Sequence, residues 1–305
     1  MSITKVFNFT LSLFLVTVVS CSTTKLAVNM TSSVMKDGIV VFFEESDYDL
    51  ARRGLESNIK LLEVFSRANP ANKNMRILLA EAYGGYSYIF LDTDLLYEKD
   101  SKEIKRTTAR MTEFYARGRN YGLSILKEDE IFKKAIDKND LELLTSAATR
   151  ISVADKEALF WTVFNWALLV NLDRSNTDNI SEIPRLRILI DRMVALDEGY
   201  FHGAPLALKG VLECSIPKML GGKIDMGVKS MEQALKIANR EMLLTQLLYA
   251  QYCTPAIQSG KLFHSLIDEI EKANVSPMKD TTLINNSVKR KAPMVQRSIK
   301  DMFLH

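Results

Sequence analysis

Glycine and proline are scarce, 13 and 7 among 305 residues, and no long stretch alternates apolar with polar positions. A β-sandwich or barrel needs a cluster of turn formers about every ten residues, so that architecture is excluded. Cysteine is rare as well: Cys21, Cys214 and Cys253 stand far apart, as do His202, His264 and His305. No pair has the spacing of zinc ligands, and no histidine can be placed beside a Ser or Cys nucleophile. There is neither a glycine-rich phosphate loop nor a His-x-x-x-His helix. Adjacent carboxylates such as Glu44 and Glu45, or Asp129 and Glu130, diverge on a helix and read as solvated surface. The sequence therefore predicts no catalytic residue, no metal site and no cofactor. An excess of one charge is missing too. The formal net charge is +3 and the basic stretches are short or interrupted, which removes the electrostatic case for nucleic acid.

What is present is apolar bulk: 47% of residues are apolar and 25% charged. A chain of this length buries roughly 75% of its unfolded surface, so no metal or disulfide is needed to support a core. The expectation is a mostly helical protein.

Residues 1–20, MSITKVFNFTLSLFLVTVVS, place Lys5 before an apolar run from Val6 to Val19. At about fourteen residues this run is too short to span a bilayer, but it has the length of a signal-peptide core. It ends in Val18-Val19-Ser20-Cys21, which resembles the lipobox of bacterial lipoproteins, where the cysteine sulfur carries a diacylglyceryl group and becomes the new amino terminus. The resemblance implies lipidation at Cys21. With Ser22 and not Asp behind it, it further implies the outer membrane facing the periplasm. Residues 1–20 are then the signal peptide, 21–30 a tether, and 31–305 a single helical domain.

The body reads as helical hairpins. From Tyr48 to Arg67, Leu50, Leu55, Ile59, Leu62 and Phe65 recur at helical intervals behind a cap at Ser46 or Asp47, and the helix stops at Ala68-Asn69-Pro70. If Pro70 ends one tetratricopeptide unit, Leu79, Ala80 and Tyr83 fall on the Leu, small and Tyr positions of the next. A charged insert is expected over 95–110. Residues 155–172, apolar almost all round, predict a central helix, and Pro184 suits the first turn of the next. Another hairpin turns at Leu220-Gly221-Gly222 and returns with Gly227, Met231, Ala234 and Ala238 on its packing side. Later helices are expected over 242–253, 262–273 and 281–303. The lone strand-like run Ile39–Phe43 has no pairing partner and reads as part of a buried helix. Cys214 and Cys253 lie on neighbouring helices, where a bridge is conceivable; two buried free thiols are the expectation.

The order of Asp49-Leu-Ala-Arg52, Ala82-Tyr83, Tyr115-Ala-Arg-Gly-Arg-Asn-Tyr121, Leu159-Phe-Trp161, Trp166-Ala167, Pro184-Arg185, Leu196-Asp-Glu-Gly-Tyr200, Leu220-Gly-Gly222, Met231-Glu-Gln-Ala234 and Tyr249-Ala-Gln-Tyr252 resembles the TRAP-transporter-associated tetratricopeptide lipoproteins, the TatT component family. Lys209 at an apolar position and Pro205 early in a helix depart from the pattern. The resemblance implies an all-α fold: a right-handed stack of helical hairpins forming a degenerate tetratricopeptide-like α-solenoid. It also implies a trimer with a central pore, a ligand cleft in each subunit, and partnership with the solute-binding protein of a tripartite ATP-independent periplasmic (TRAP) transporter. A protein scaffold without small-molecule ligand is the alternative.

As candidate binding residues the sequence offers polar and aromatic groups set in apolar helices. Trp161, Asn165 and Trp166 share the central helix, and a buried amide such as Asn165 needs partners, either structural or in a pocket. Tyr83, Tyr86 and Tyr88 are expected as interhelical packing, with a pocket wall the alternative. Arg117 and Arg119 flank Gly118, where they hold either a ligand carboxylate or carboxylates of neighbouring hairpins.

Overall fold

A computed structural model describes residues 23–174, 176–299 and 303. All the regular structure among the described residues is helical. Residues 23–38 form α1, which after an interruption at Ile39 resumes as α2 (Val40–Glu44). Then come α3 (Tyr48–Ala68), α4 (Lys73–Tyr86), a π-helical turn (Ser87–Leu91), α5 (Asp92–Tyr97), α6 (Ser101–Leu126), α7 (Glu130–Asp137), α8 (Leu141–Arg150) and α9 (Lys156–Leu172). The second half holds α10 (Thr177–Ser181), α11 (Ile183–Asp197), α12 (Tyr200–Ser215), α13 (Ile224–Ile237), α14 (Leu243–Leu248), a second π turn (Tyr249–Cys253), α15 (Thr254–Ala256), α16 (Gly260–Lys272) and α17 (Thr282–Ile299).

The starts of these helices are set by local chemistry. Asp47, Asn72, Asp100, Asp129, Asp140 and Asn176 each accept backbone N–H groups of the first turn they precede. Pro184 sits in the first turn of α11, where its missing N–H has no intrahelical partner to lose. The stretch 95–110 is not an insert. It comprises the end of α5, a short connection and the first turns of α6, because Asp100 starts a helix whose charged residues face solvent.

Successive long helices pack antiparallel. Tyr48 Oη, at the start of α3, donates to Ile89 O at 2.6 Å just past the end of α4, and Tyr83 Oη donates to Glu63 between the same two helices. Between α4 and α6, Arg76 reaches Ser124 O at 3.1 Å while Tyr83 meets Phe114 with ring centres 5.0 Å apart. α9 lies against both. Its residues Ala158 to Val163, Asn165 and Trp166 are buried, as an all-round apolar helix requires. Two apolar cores result. One runs through α3 to α5 and α12 to α17, the other through α6 to α9 and α11, and Tyr121 and Val194 touch both.

The α12–α13 hairpin closes as its small residues predict. A Cβ at Gly210 would stand 2.7 Å from the Met231 side chain, and one at Gly227 2.6 Å from Cys214 Sγ and 3.1 Å from the α12 backbone, so the two glycines let the helices approach closely. Lys209, apolar by expectation, pairs with Asp191 at 2.8 Å, the aliphatic stem bridging to a charged partner. Pro205 is accommodated because Phe201 (φ 46°, ψ 53°), His202 (φ 58°, ψ 37°) and Gly203 (φ 85°, ψ 14°) are left-handed, so the right-handed helix begins only after them.

Two further expectations are corrected. Cys214 and Cys253 are not free thiols but form a disulfide, with Cα atoms 5.0 Å apart. The bridge is possible because the second π turn packs against α12, a proximity invisible in the sequence. The run Ile39–Phe43 is helical from Val40 on but not buried: none of the residues of α2 is inside, and Phe42 and Phe43 pack on the edge of the core. The lipidation site Cys21 lies outside the described residues. Within 21–30, the described residues 23–30 are helical, and Asn29 Oδ1 accepts from Asn69 and Asn72 at 2.9 and 2.7 Å.

Candidate functional site

Where α2, α4, α9, α12, α14 and α17 converge, a cavity of about 60 Å³ opens. Phe43 comes from α2, Gly85 from α4 and Tyr88 from the π turn behind it; α9 adds Phe160, Trp161 and Phe164 from one face, at the three- and four-residue spacing that a helix requires. α12 supplies Phe201, His202, Ala204, Ala207 and Leu208; α14 supplies Leu244, Thr245 and Leu248; Met242 and Ile284 complete the wall.

Aromatic rings form one side. Phe201 meets Phe43 edge to face at 5.4 Å between centres and lies 6.1 and 6.3 Å from Trp161 and Phe160. Phe164 meets Tyr88 at 5.9 Å and Trp161 at 5.4 Å. The left-handed backbone at Phe201 and His202 costs about 1 to 2 kcal/mol per residue. It turns both side chains toward the cavity and is held by the surrounding packing, the pattern expected of strain kept at a functional position.

Polar groups stand at the margins. His202 Nε2 lies 2.8 Å from Asp280 Oδ2, both partly exposed. Behind Tyr88, the fully buried Lys291 donates to Tyr88 O at 2.6 Å and to Asp92 at 2.7 Å, with its ammonium 3.5 Å from the centre of the Tyr88 ring. Burial lowers the Lys291 pKa, a shift that Asp92 opposes, and burial raises the Tyr88 hydroxyl well above its ordinary value. Glu81 stands one turn before Gly85 on α4. Burial, reinforced by the charge of Glu157 and only partly offset by Lys36, pushes its carboxyl up to about 8. Glu157 is itself paired with Lys36 at 2.7 Å.

This lining is apolar, and its residues set no nucleophile beside a base. No group of three or more His, Cys, Asp or Glu able to hold a metal occurs among the described residues.

Of the residues weighed from sequence, Trp161 and Tyr88 line the cavity, Tyr88 against the expectation of interhelical packing. Asn165 lies between α4, α6 and α9, donating through Nδ2 to Ala80 O at 2.9 Å and Trp161 O at 2.7 Å. Trp166 is buried beneath Arg119, whose guanidinium is 5.5 Å from the indole centre. Tyr83 and Arg117 are brought together elsewhere: Arg117 donates to Tyr83 Oη at 3.1 Å and pairs with Glu63 and Glu113. Burial and the hydrogen bond to Glu63 push the Tyr83 hydroxyl up to about 12. Phe43, Phe160, Phe164 and Phe201 were not weighed as binding residues. Their one signal is density of aromatics at helical spacing in 160–164, which reads equally as ordinary core.

A family model described as TRAP transporter T-component matches residues 44–303. No curated protein matches the chain.

Proposed function

The chain belongs to the TRAP transporter T-component family, an accessory component of a TRAP transport system, and from that premise we propose that it takes an apolar small molecule into the cavity between α4, α9, α12 and α14. The observation that carries this reading is the lining: six aromatic rings from four separate segments converge on a space of about 60 Å³ with polar groups only at its margins. An interior void of that chemistry is filled most favourably by an apolar ligand, which replaces contacts the lining residues otherwise lack.

In the same reading the mature protein is a lipoprotein held by Cys21 at the outer membrane and facing the periplasm. It assembles as a homotrimer and works with the solute-binding protein of its transporter. The Val18-Val19-Ser20-Cys21 segment supports the first part, and family membership supports the second. The Cys214–Cys253 disulfide fits an oxidising compartment.

Isothermal titration of the mature chain carrying Cys21→Ser, against fatty acids and against short organic acids, tests the ligand. Heat with the fatty acids alone is expected. No heat with either class would leave a scaffold that binds only proteins.

A further inference from the structure

The helix nearest to Cys21 carries an apolar face that none of the described residues covers. On α1, Leu26, Met30 and Val34 are 58%, 65% and 72% exposed. At about 100° per residue they fall within an arc of roughly 80°. The opposite face is clamped to the body. Val28 and Ser32 are 2% and 1% exposed, Asn29 accepts from Asn69 and Asn72, and Lys36 pairs with Glu157 at 2.7 Å. α1 is therefore fixed to the domain with an apolar stripe outward. Asp37 falls in the same arc one turn beyond Val34 and ends the stripe.

We propose that the outer face of α1 lies on the surface of the lipid bilayer, so that the protein meets its membrane through Leu26, Met30 and Val34 in addition to the anchor. The inference rests on the reading of Cys21 as the lipidated residue. Helix α1 is described from Thr23, two residues on, which an extended chain spans in about 7 Å. A lipid on Cys21 thus holds the first turn of α1, with Lys25 on it, at headgroup level. The stripe begins one turn later, within reach of the acyl boundary if α1 runs along the surface. A second copy of the chain has no such constraint bringing it to this face. The contact orients the domain. With α1 clamped through Asn29, Ser32 and Lys36, fixing its outer face to the bilayer fixes the direction in which the cavity opens.

The full chain, expressed so that its lipid is attached and reconstituted in phosphatidylethanolamine and phosphatidylglycerol vesicles, tests this. Cysteines introduced as Met30→Cys or Val34→Cys carry an environment-sensitive nitrobenzoxadiazole dye, with Met219→Cys on a distant exposed loop as control. Incorporation of a clickable fatty acid at Cys21 is measured on the same preparations. With the label present, a blue shift and a roughly twofold gain in emission are expected at positions 30 and 34 and none at 219. Label present with no shift at 30 or 34 overturns the docking while leaving the anchor standing. Absence of label overturns the anchor and the docking with it. A shift that appears without lipid and grows with protein concentration assigns the face to a second copy and also overturns the proposal.

Discussion

Gly118 on α6 and Asn165 on α9 share one space: a Cβ at 118 would stand 2.3 Å from Asn165 Oδ1, and one at Gly84 on α4 would stand 2.8 Å from the same atom. Two glycines from two helices thus admit one amide from a third, which ties α4 to α9 through Ala80 O. The cavity wall formed by Trp161, one turn earlier on α9, takes its position from this contact.

Gly118→Ala should destabilise the fold by about 1 to 3 kcal/mol, overpacking outweighing the gain in helix propensity. Gly85→Ala, whose Cβ meets nothing within 4 Å, should instead stabilise by about 0.5 to 1 kcal/mol. Denaturant unfolding of both variants decides. Combining Gly118→Ala with Asn165→Ala should recover part of the loss, a coupling that unrelated sites do not show.

Filling the cavity should abolish uptake without unfolding. Ala204→Trp places an indole among Phe160, Phe201 and Leu208, residues that share the lining. Titration with a fatty acid should show at least roughly a tenfold loss of affinity, equal to about 1.4 kcal/mol. Helical content by circular dichroism should be unchanged. Unaltered affinity would place the ligand elsewhere.

The disulfide should make stability depend on redox conditions. Its cysteines are 39 residues apart in sequence, and closing a loop of that size restricts the unfolded chain by about 4 kcal/mol in the entropic account. Reductant should lower the denaturant midpoint accordingly, and the double variant Cys214→Ala, Cys253→Ala should match the reduced protein. Non-reducing peptide mapping should recover the two cysteines in one linked fragment; free thiols there would refute the bridge.

Glu81 should make stability fall as pH rises. Its folded pKa is about 8, against an ordinary carboxyl value near 4.5, so the native state holds a proton that the unfolded chain has released between those values. Stability attributable to this group is complete below pH 4.5 and declines up to about 8. The limiting change for such a shift is about 5 kcal/mol, and because Glu81 keeps partial contact with solvent about 1 to 2 kcal/mol is expected. Glu81→Gln should flatten that part of the profile and stabilise the protein at pH 8. Identical pH profiles for variant and parent would contradict the assignment.

Much of the helix layout was legible because it is written locally. Asp47, Asn72 and Asp100 mark helix starts through hydrogen bonds within three residues. The stripe Gly227, Met231 and Ala234 announces a close-packed partner before that partner is known. The same locality explains what was misread. Charges over 95–110 looked like an insert because composition alone does not distinguish a solvated helix face from a loop. Phe42 and Phe43 looked buried because hydropathy does not say whether neighbouring helices cover an edge.

By itself, the sequence determined an all-α chain with helices of given extents, a family resemblance, and a lipobox-like segment at Cys21, since each depends on residues close together in the chain. Only the tertiary structure decided which aromatics face a cavity and which fill the core. Trp161 and Trp166 stand five positions apart on one helix, and α4, α6, α12 and α14 determine that the first lines the void and the second lies under Arg119. The disulfide was decided in the same way, by the packing of the second π turn against α12. A contact between residues 39 positions apart is a property of helix packing, and no local pattern of side chains encodes it.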